Sequence, residues 1–276
     1  MTNRSRHSAR TSDVPRGEPS FEGQQAGAEG LLARSAYALF GIVAWVLFTV
    51  LALLALLVLL LTPGMERRRR ILHAAARLVL PLIGVRLEVR GLDRVPEGPC
   101  VVVANHASYL DGVVMKAALP PRFAYVVKRE MASVPFAGLM LQRIGTQFVE
   151  RFDRQRGASD ARRVMRSANG GQSLVFFPEG TFGNVPGLLK FHSGAFITAA
   201  RAGCPVVPAV IRGSRDVLPG SRYLPRPGRV VVELLEPLAP EGEDAAPALR
   251  ERSRALILER LGEPDAGAGG AAGHGV

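Results

Sequence analysis

With 276 residues, the chain has room for one sizeable domain and additions to it. Its formal net charge of +11 admits nucleic acid as a partner, but the densest basic run, Arg67 to Arg70, directly follows an uncharged apolar stretch, where lipid phosphates would lie. That placement argues for a bilayer and against nucleic acid. The absence of zinc-like His and Cys spacing, of a P-loop and of a GxSxG elbow argues against a metal site, a nucleotide phosphotransferase and a serine hydrolase.

Residues 1–34 are rich in Ser, Arg, Gly, Glu and Gln and short of large apolar side chains, so they read as a disordered polar tail. Residues 35–63 hold the run Ala36 to Leu61, which is free of charge. As a helix it would reach about 39 Å, more than the roughly 30 Å of a hydrocarbon core, so it can span a bilayer with some tilt. A cleavable signal peptide fits poorly, because the apolar core is too long and no small-residue cleavage site follows. A helical hairpin inserted in one leaflet, with Ile71 to Gly84 as its return arm, is the second alternative.

Pro63-Gly64 ends that helix, and residues 64–84 read as a basic juxtamembrane segment leading into an interfacial helix whose polar exceptions are His73 and Arg77. The excess of arginine on this side puts the larger C-terminal part in the cytoplasm. Lysine occurs only at 116, 128 and 190, an arginine bias associated with GC-rich bacterial coding, and hence with a bacterial inner membrane.

From Val85 the pattern becomes strands alternating with helices. Val85, Leu87 and Val89 alternate with Arg86, Glu88 and Arg90, as in a half-exposed strand, and Cys100 to Ala104 is a continuous apolar run. Further strands are predicted at Phe123 to Val127, Gly145 to Arg151, Ser173 to Phe177, Val206 to Ile211 and Arg229 to Leu235. Helices are predicted over 108–119, 133–143, 158–169, 193–202 and 245–261. This order implies an α/β fold with a mostly parallel sheet flanked by helices over residues 85–262, its working groups gathered beyond the carboxyl ends of the strands. Cys100 and Cys204 read as buried hydrophobes. Residues 263–276 read as a disordered Gly/Ala tail.

Three predicted strand ends carry candidate chemistry. The first delivers His106 and Asp111. Histidine has the proton affinity suited to taking a proton from a hydroxyl, and a carboxylate is the usual group that holds such a base in one tautomer. Five residues apart on one helix they would point about 140° away from each other, so they can meet only across a helix start. Ser108 and Asp111 also form a capping-box pattern, so a plain cap beside a plain loop histidine is the alternative. The second end reaches Arg151, either a phosphate grip or a solvated arginine near Asp153. The third is Phe177-Pro178-Glu179-Gly180-Thr181, a strand that breaks into a sharp exposed turn carrying an acid.

Four blocks, NHASYLD at 105–111, GTQFVER at 145–151, FPEGT at 177–181 and VVPAVI at 206–211, resemble in their order the lysophospholipid acyltransferase family, over roughly Val85 to Val232. The resemblance implies direct acyl transfer from acyl-CoA or acyl-carrier protein to a lysophospholipid, with no other cofactor. It implies His106 as the base, Asp111 as its orienting acid, Arg151, Glu179 and Gly180 on the acceptor's glycerol phosphate, and Thr181 supporting that loop. Pro208 would shape the site, and Lys128 stands where a further phosphate contact or a solvated strand-end lysine is expected. Two departures fall beside the inferred head-group site: Phe182 where Arg or Ser is common, and His192 where Lys is common.

Overall fold

The computed structural model describes residues 21–150, 154–183, 185–242 and 245–267. The chain divides into two units, Met1–Leu39 and Phe40–Val276. In the first, the described residues are helical and belong to helix α1 (Phe21–Leu61). The polar stretch 21–34, expected to be disordered, is therefore helix. Its Glu, Gln and Ala residues favour helix, and extending an existing helix costs far less than nucleating a new one.

The second unit is a seven-stranded sheet flanked by helices. The strands are β1 (Val85–Arg90), β2 (Val101–Ala104), β3 (Ala124–Lys128), β4 (Gln147–Val149), β5 (Leu174–Phe176), β6 (Val206–Arg212) and β7 (Gly228–Leu234). They lie in the order β1-β7-β6-β2-β5-β3-β4. Every pairing is parallel except β6 with β7. The remaining helices are α2 (Met65–Leu82), α3 (Asp111–Ala118), α4 (Ala137–Arg143), α5 (Arg154–Asn169), α6 (Gly194–Ala202), α7 (Ser214–Val217) and α8 (Ala245–Leu261).

Side chains alternate across a strand, so a run that is apolar at every position needs cover on both faces. β2 shows this: Val101, Val102, Val103 and Ala104 are all fully buried. Val102 and Ala104 join the layer built with Val79 and Leu80 of α2 and Val114 and Met115 of α3, while Val101 and Val103 join the layer built with Val164 of α5, Phe196 of α6 and Ile257 of α8. β2 is thus the best-protected strand, and its carboxyl end is a rigid mount for whatever follows.

Among the described residues one helix, α1 over Arg34–Leu61, is long and apolar enough to cross a membrane by length and composition. Within the second unit it is two-faced. Ala44, Ala55, Leu56 and Leu59 are buried, while Val46, Val50, Leu54 and Leu57 are exposed. The Trp45 indole N–H donates to Tyr223 O at 2.6 Å. Gly41 permits the close approach, since a Cβ there would sit 2.7 Å from the Leu224 Cβ.

The basic run departs from expectation. It lies inside α2, and Arg69 is buried instead of facing lipid phosphates. Its guanidinium donates to Ile144 O (2.9 Å), Arg122 O (3.1 Å) and Gln172 Oε1 (2.9 Å), tying α2 to the far edge of the sheet. Arg67 and Arg70 remain exposed. The tail also departs: Glu263 to Gly267, expected to be disordered, pack against Leu188 through a parallel bridge to Asp265.

Candidate active site

The site begins where β2 runs out. Asn105 continues the β2–β6 ladder with its side chain: Oδ1 accepts the Ile211 amide at 2.7 Å, and Nδ2 donates to Ile211 O at 3.0 Å. An amide side chain can imitate a peptide group in this way, so the chain leaves the sheet at a fixed point. The next residue is His106.

Its Nδ1 lies 2.8 Å from Asp111 Oδ2, with His106 in the loop and Asp111 as the first residue of α3. The same oxygen accepts the amides of Ala107 (2.7 Å) and Ser108 (2.9 Å), and Asp111 is fully buried. The orienting reading is therefore realised, and the same carboxylate fixes the loop backbone ahead of the helix; the residue before α3 is Leu110, and the helix start carries no side-chain cap hydrogen bond. A carboxylate that accepts from Nδ1 leaves the proton on Nδ1 and the lone pair on Nε2, the form a general base requires. Ser108 locks the loop from behind, with Oγ donating to Leu218 O (2.5 Å) and accepting the Leu110 amide (3.0 Å).

Aromatic rings fix the imidazole plane. Phe177 stacks on it at 4.4 Å between centroids, and Phe182 meets it edge-on at 4.5 Å. Phe182 in turn meets Tyr109 at 4.8 Å. The His106 side chain keeps 20% of its surface exposed, so the base can be reached.

Glu179 is buried, and both its oxygens are in use: Oε1 accepts the His106 amide at 2.6 Å, and Oε2 accepts the Leu189 amide at 2.8 Å. Burial pushes its carboxyl above the ordinary range, and the two amides oppose that shift. The carboxylate thus staples the histidine loop to the segment around Leu189. Gly180 turns with φ 74°, a conformation costly for any residue with a Cβ, and its amide donates to Phe177 O at 3.0 Å.

The remaining expected residues are more scattered. Thr181 is exposed at the rim. Lys128 ends β3 and is exposed, in register with Val149 of β4. Arg151 lies outside the described residues. Pro208 is buried inside β6 opposite Val103, with its carbonyl accepting the Leu235 amide at 2.8 Å, so it belongs to the sheet behind the site. Cys100 and Cys204 are free and buried, and burial pushes the Cys100 thiol up to about 11.

Two cavities adjoin the histidine loop. One, of about 350 Å³, is lined by Val126, Phe177, Pro178, Gly180 and His192 among others. Val126 and Lys128 share a strand face, so the lysine stands one pleat beyond the cavity wall. The second, of about 50 Å³, is lined by Trp45, Phe48, Tyr109, Leu110 and Val113 among others, and is almost wholly apolar.

Asn105, Ser108 and Phe177 were not singled out from sequence as working residues. An amide side chain directly after an all-apolar strand is the signal that could have marked Asn105. Leu218, which accepts from Ser108, and His106, on which Phe177 stacks, are too distant in sequence from those residues to leave one.

The acyltransferase family profile matches residues 86–212. The chain is 36% identical over 188 residues to 1-acyl-sn-glycerol-3-phosphate acyltransferase alpha of Mus musculus, covering 64% of this chain and 64% of that protein. It is 32% identical over 195 residues to lyso-ornithine lipid O-acyltransferase of Pseudomonas aeruginosa, covering 63% of this chain and 73% of that one. Its fold is similar to the crystal structure of the 1-acyl-sn-glycerophosphate (LPA) acyltransferase PlsC from Thermotoga maritima, with a TM-score of 0.71, 21% identity, and coverage of 82% of this chain and 95% of that one. With the family profile lying across the histidine loop, the Glu179 turn and β6, this chain belongs to the lysophospholipid and 1-acyl-sn-glycerol-3-phosphate acyltransferase family.

Proposed function

We propose that the protein is a membrane-bound O-acyltransferase that moves a fatty acyl group from a thioester donor, acyl-CoA or acyl-carrier protein, to the sn-2 hydroxyl of lysophosphatidic acid, giving phosphatidic acid. The observation that carries the reading is the 2.8 Å contact of His106 Nδ1 with a fully buried Asp111, which leaves Nε2 as the base.

In the reaction, Nε2 takes the proton of the acceptor hydroxyl as its oxygen adds to the thioester carbonyl. The tetrahedral intermediate then expels the carrier thiolate, which receives the proton back from the imidazolium, so the histidine ends as it began. General base catalysis of this kind contributes about 10²- to 10⁴-fold. Lys128 and Arg151 are the cations we assign to the acceptor phosphate, with Gly180 and Thr181 at the turn beside it. Glu179 serves by holding the histidine loop, and Pro208 by shaping the sheet behind it.

The exposed apolar face of α1 supports attachment to a bilayer, which we take to be a bacterial inner membrane with the catalytic unit on its cytoplasmic side. The buried opposite face favours a helix lying in one leaflet against the unit over one standing free across both.

A second acceptor, lyso-ornithine lipid, is favoured by Phe182, an uncharged ring beside the base where a cation would suit a phosphate. Transfer assays in vesicles with both acceptors and both carriers, run with His106→Ala and Arg151→Ala, separate the readings. Loss of transfer to the phosphate acceptor alone in Arg151→Ala supports lysophosphatidic acid. Near-normal transfer by His106→Ala would overturn the mechanism.

A further inference from the structure

The segment after α8 does not trail into solvent. Leu188 donates its amide to Pro264 O at 2.9 Å, and the Gly267 amide donates to Leu188 O at 3.0 Å. Arg254 of α8 binds both sides of this contact, donating to Leu188 O (3.0 Å), Leu189 O (3.2 Å) and Asp265 Oδ2 (3.0 Å). Glu263 Oε2 accepts the Gly187 amide at 2.7 Å and Arg215 Nη2 at 3.3 Å, and the other terminal nitrogen of Arg215 donates to Gly183 O at 2.8 Å. Gly187 and Leu188 are therefore held directly by the residues after α8, and Gly183 is held by Arg215, itself paired with Glu263.

Two glycines make the contact possible. A Cβ on Gly267 would sit 2.9 Å from Lys190 N and 3.1 Å from Leu189 C, and a Cβ on Gly187 would sit 2.7 Å from Ala266 Cβ. Any side chain at 267 thus pushes against backbone. Gly183 follows Phe182, whose ring lies on His106, and Leu188 precedes Leu189, whose amide binds Glu179. The other oxygen of Glu179 holds the His106 amide. From Gly267 to the base, each link is a direct contact: Gly267 to Leu188, Leu189 to Glu179, Glu179 to His106.

We propose that Glu263 to Gly267 form a strap that positions the catalytic histidine, acting through Leu189 and Glu179, with Arg254, Asp265 and Gly267 as its positioning residues. The proposal rests on His106 being the base. Its physical basis is that a shift on the order of 1 Å in a reacting group can cost about 100-fold in rate, far more than the same shift costs in stability on a surface segment.

The test uses the full chain in vesicles, with Gly267→Val, Asp265→Asn, Glu179→Gln, and each strap variant combined with Glu179→Gln. Turnover, KM for donor and acceptor, and thermal unfolding are measured for all of them. The expected result is a fall in kcat of about 10- to 100-fold in Gly267→Val and a smaller fall in Asp265→Asn, with both KM values within about twofold and cooperative unfolding retained. The double variants should be no slower than Glu179→Gln alone, because the route through Glu179 is already cut. Unchanged kcat in both strap variants would overturn the proposal, as would losses that multiply with that of Glu179→Gln, the mark of a merely structural segment. His106→Ala, run alongside, tells the two levels apart: if it alone keeps turnover, the base assignment has failed, whereas if it is inactive and the strap variants are normal, only the strap has failed.

Discussion

Asp111 Oδ2 accepts three hydrogen bonds, from the His106 imidazole at 2.8 Å and from the amides of Ala107 and Ser108 at 2.7 and 2.9 Å. Orientation of the imidazole and fixing of the loop that carries it are therefore the work of one oxygen. Asp111→Asn should lower kcat by about 10²- to 10⁴-fold, since a neutral amide no longer stabilises the imidazolium. It should also cost about 1–3 kcal/mol of stability, because buried amides lose a charged acceptor. Steady-state transfer and calorimetric unfolding on one preparation check both, and full turnover with reduced stability would reduce Asp111 to an anchor of the loop amides.

Phe182 meets the imidazole edge-on, at the position where the family resemblance leads one to expect Arg or Ser. Phe182→Arg should raise kcat/KM for a phosphate-bearing lyso-acceptor relative to lyso-ornithine lipid by roughly tenfold, about 1.4 kcal/mol of discrimination. Phe182→Ala should lower turnover on both acceptors alike, by freeing the ring of His106. A competition assay with both acceptors in one vesicle population reads the ratio directly, and an unchanged ratio in Phe182→Arg would remove Phe182 from the acceptor site.

Arg69 and its exposed neighbour Arg70 should behave oppositely. Arg69→Ala strands the Ile144 carbonyl and the Gln172 amide oxygen, while the Arg122 carbonyl keeps the Gln172 Nε2 donor at 2.6 Å, so it should cost about 2–4 kcal/mol of stability. Arg70→Ala should leave stability within about 0.5 kcal/mol and weaken association with anionic vesicles by about 1 kcal/mol. Urea unfolding and vesicle sedimentation distinguish them. Equal loss of stability in both would show that Arg69 is not the anchor of α2.

Lys116 is buried among apolar residues of α1, α2 and α3, lining a cavity of about 100 Å³, and burial lowers its pKa from 10.5 to about 8. Because the folded-state value is the lower one, the unfolded chain binds more protons between about pH 8 and 10.5, and folding should gain stability as pH rises through that window. Below about pH 8 the full cost of the buried ammonium is present. Lys116→Met should therefore stabilise the protein at pH 7 by roughly 1–3 kcal/mol, with the gain shrinking above pH 8. Unfolding midpoints of the two proteins from pH 6 to 10 check this, and a difference independent of pH would exclude the lysine charge as its cause.

Local patterns were enough for much of the architecture. The all-apolar run Cys100 to Ala104 announced a strand covered on both faces, and the helices over 193–202 and 245–261 lie within a residue of where their periodicity put them, because burial repeats along the chain with the period of the element. The spacing of His106 and Asp111 already required a helix to start between them. Boundaries set by contacts were less legible. The helix expected from 108 begins at Asp111, since the side chain of that residue reaches back to the loop amides, and the strand expected over 145–151 is paired only from Gln147 to Val149, as far as β3 gives it a partner.

What one-dimensional reasoning could not reach were the partners. Nothing in Glu179 indicates that its oxygens would hold the amides of His106 and Leu189, nothing in an arginine cluster says that Arg69 turns inward, and a Gly- and Ala-rich tail hides the Glu263 to Gly267 contact. Chain composition and periodicity decide which faces must be buried, because that energy scales with local apolar area. Which distant amide or carbonyl meets a given side chain depends on angstrom-scale distances that exist only once the sheet has closed.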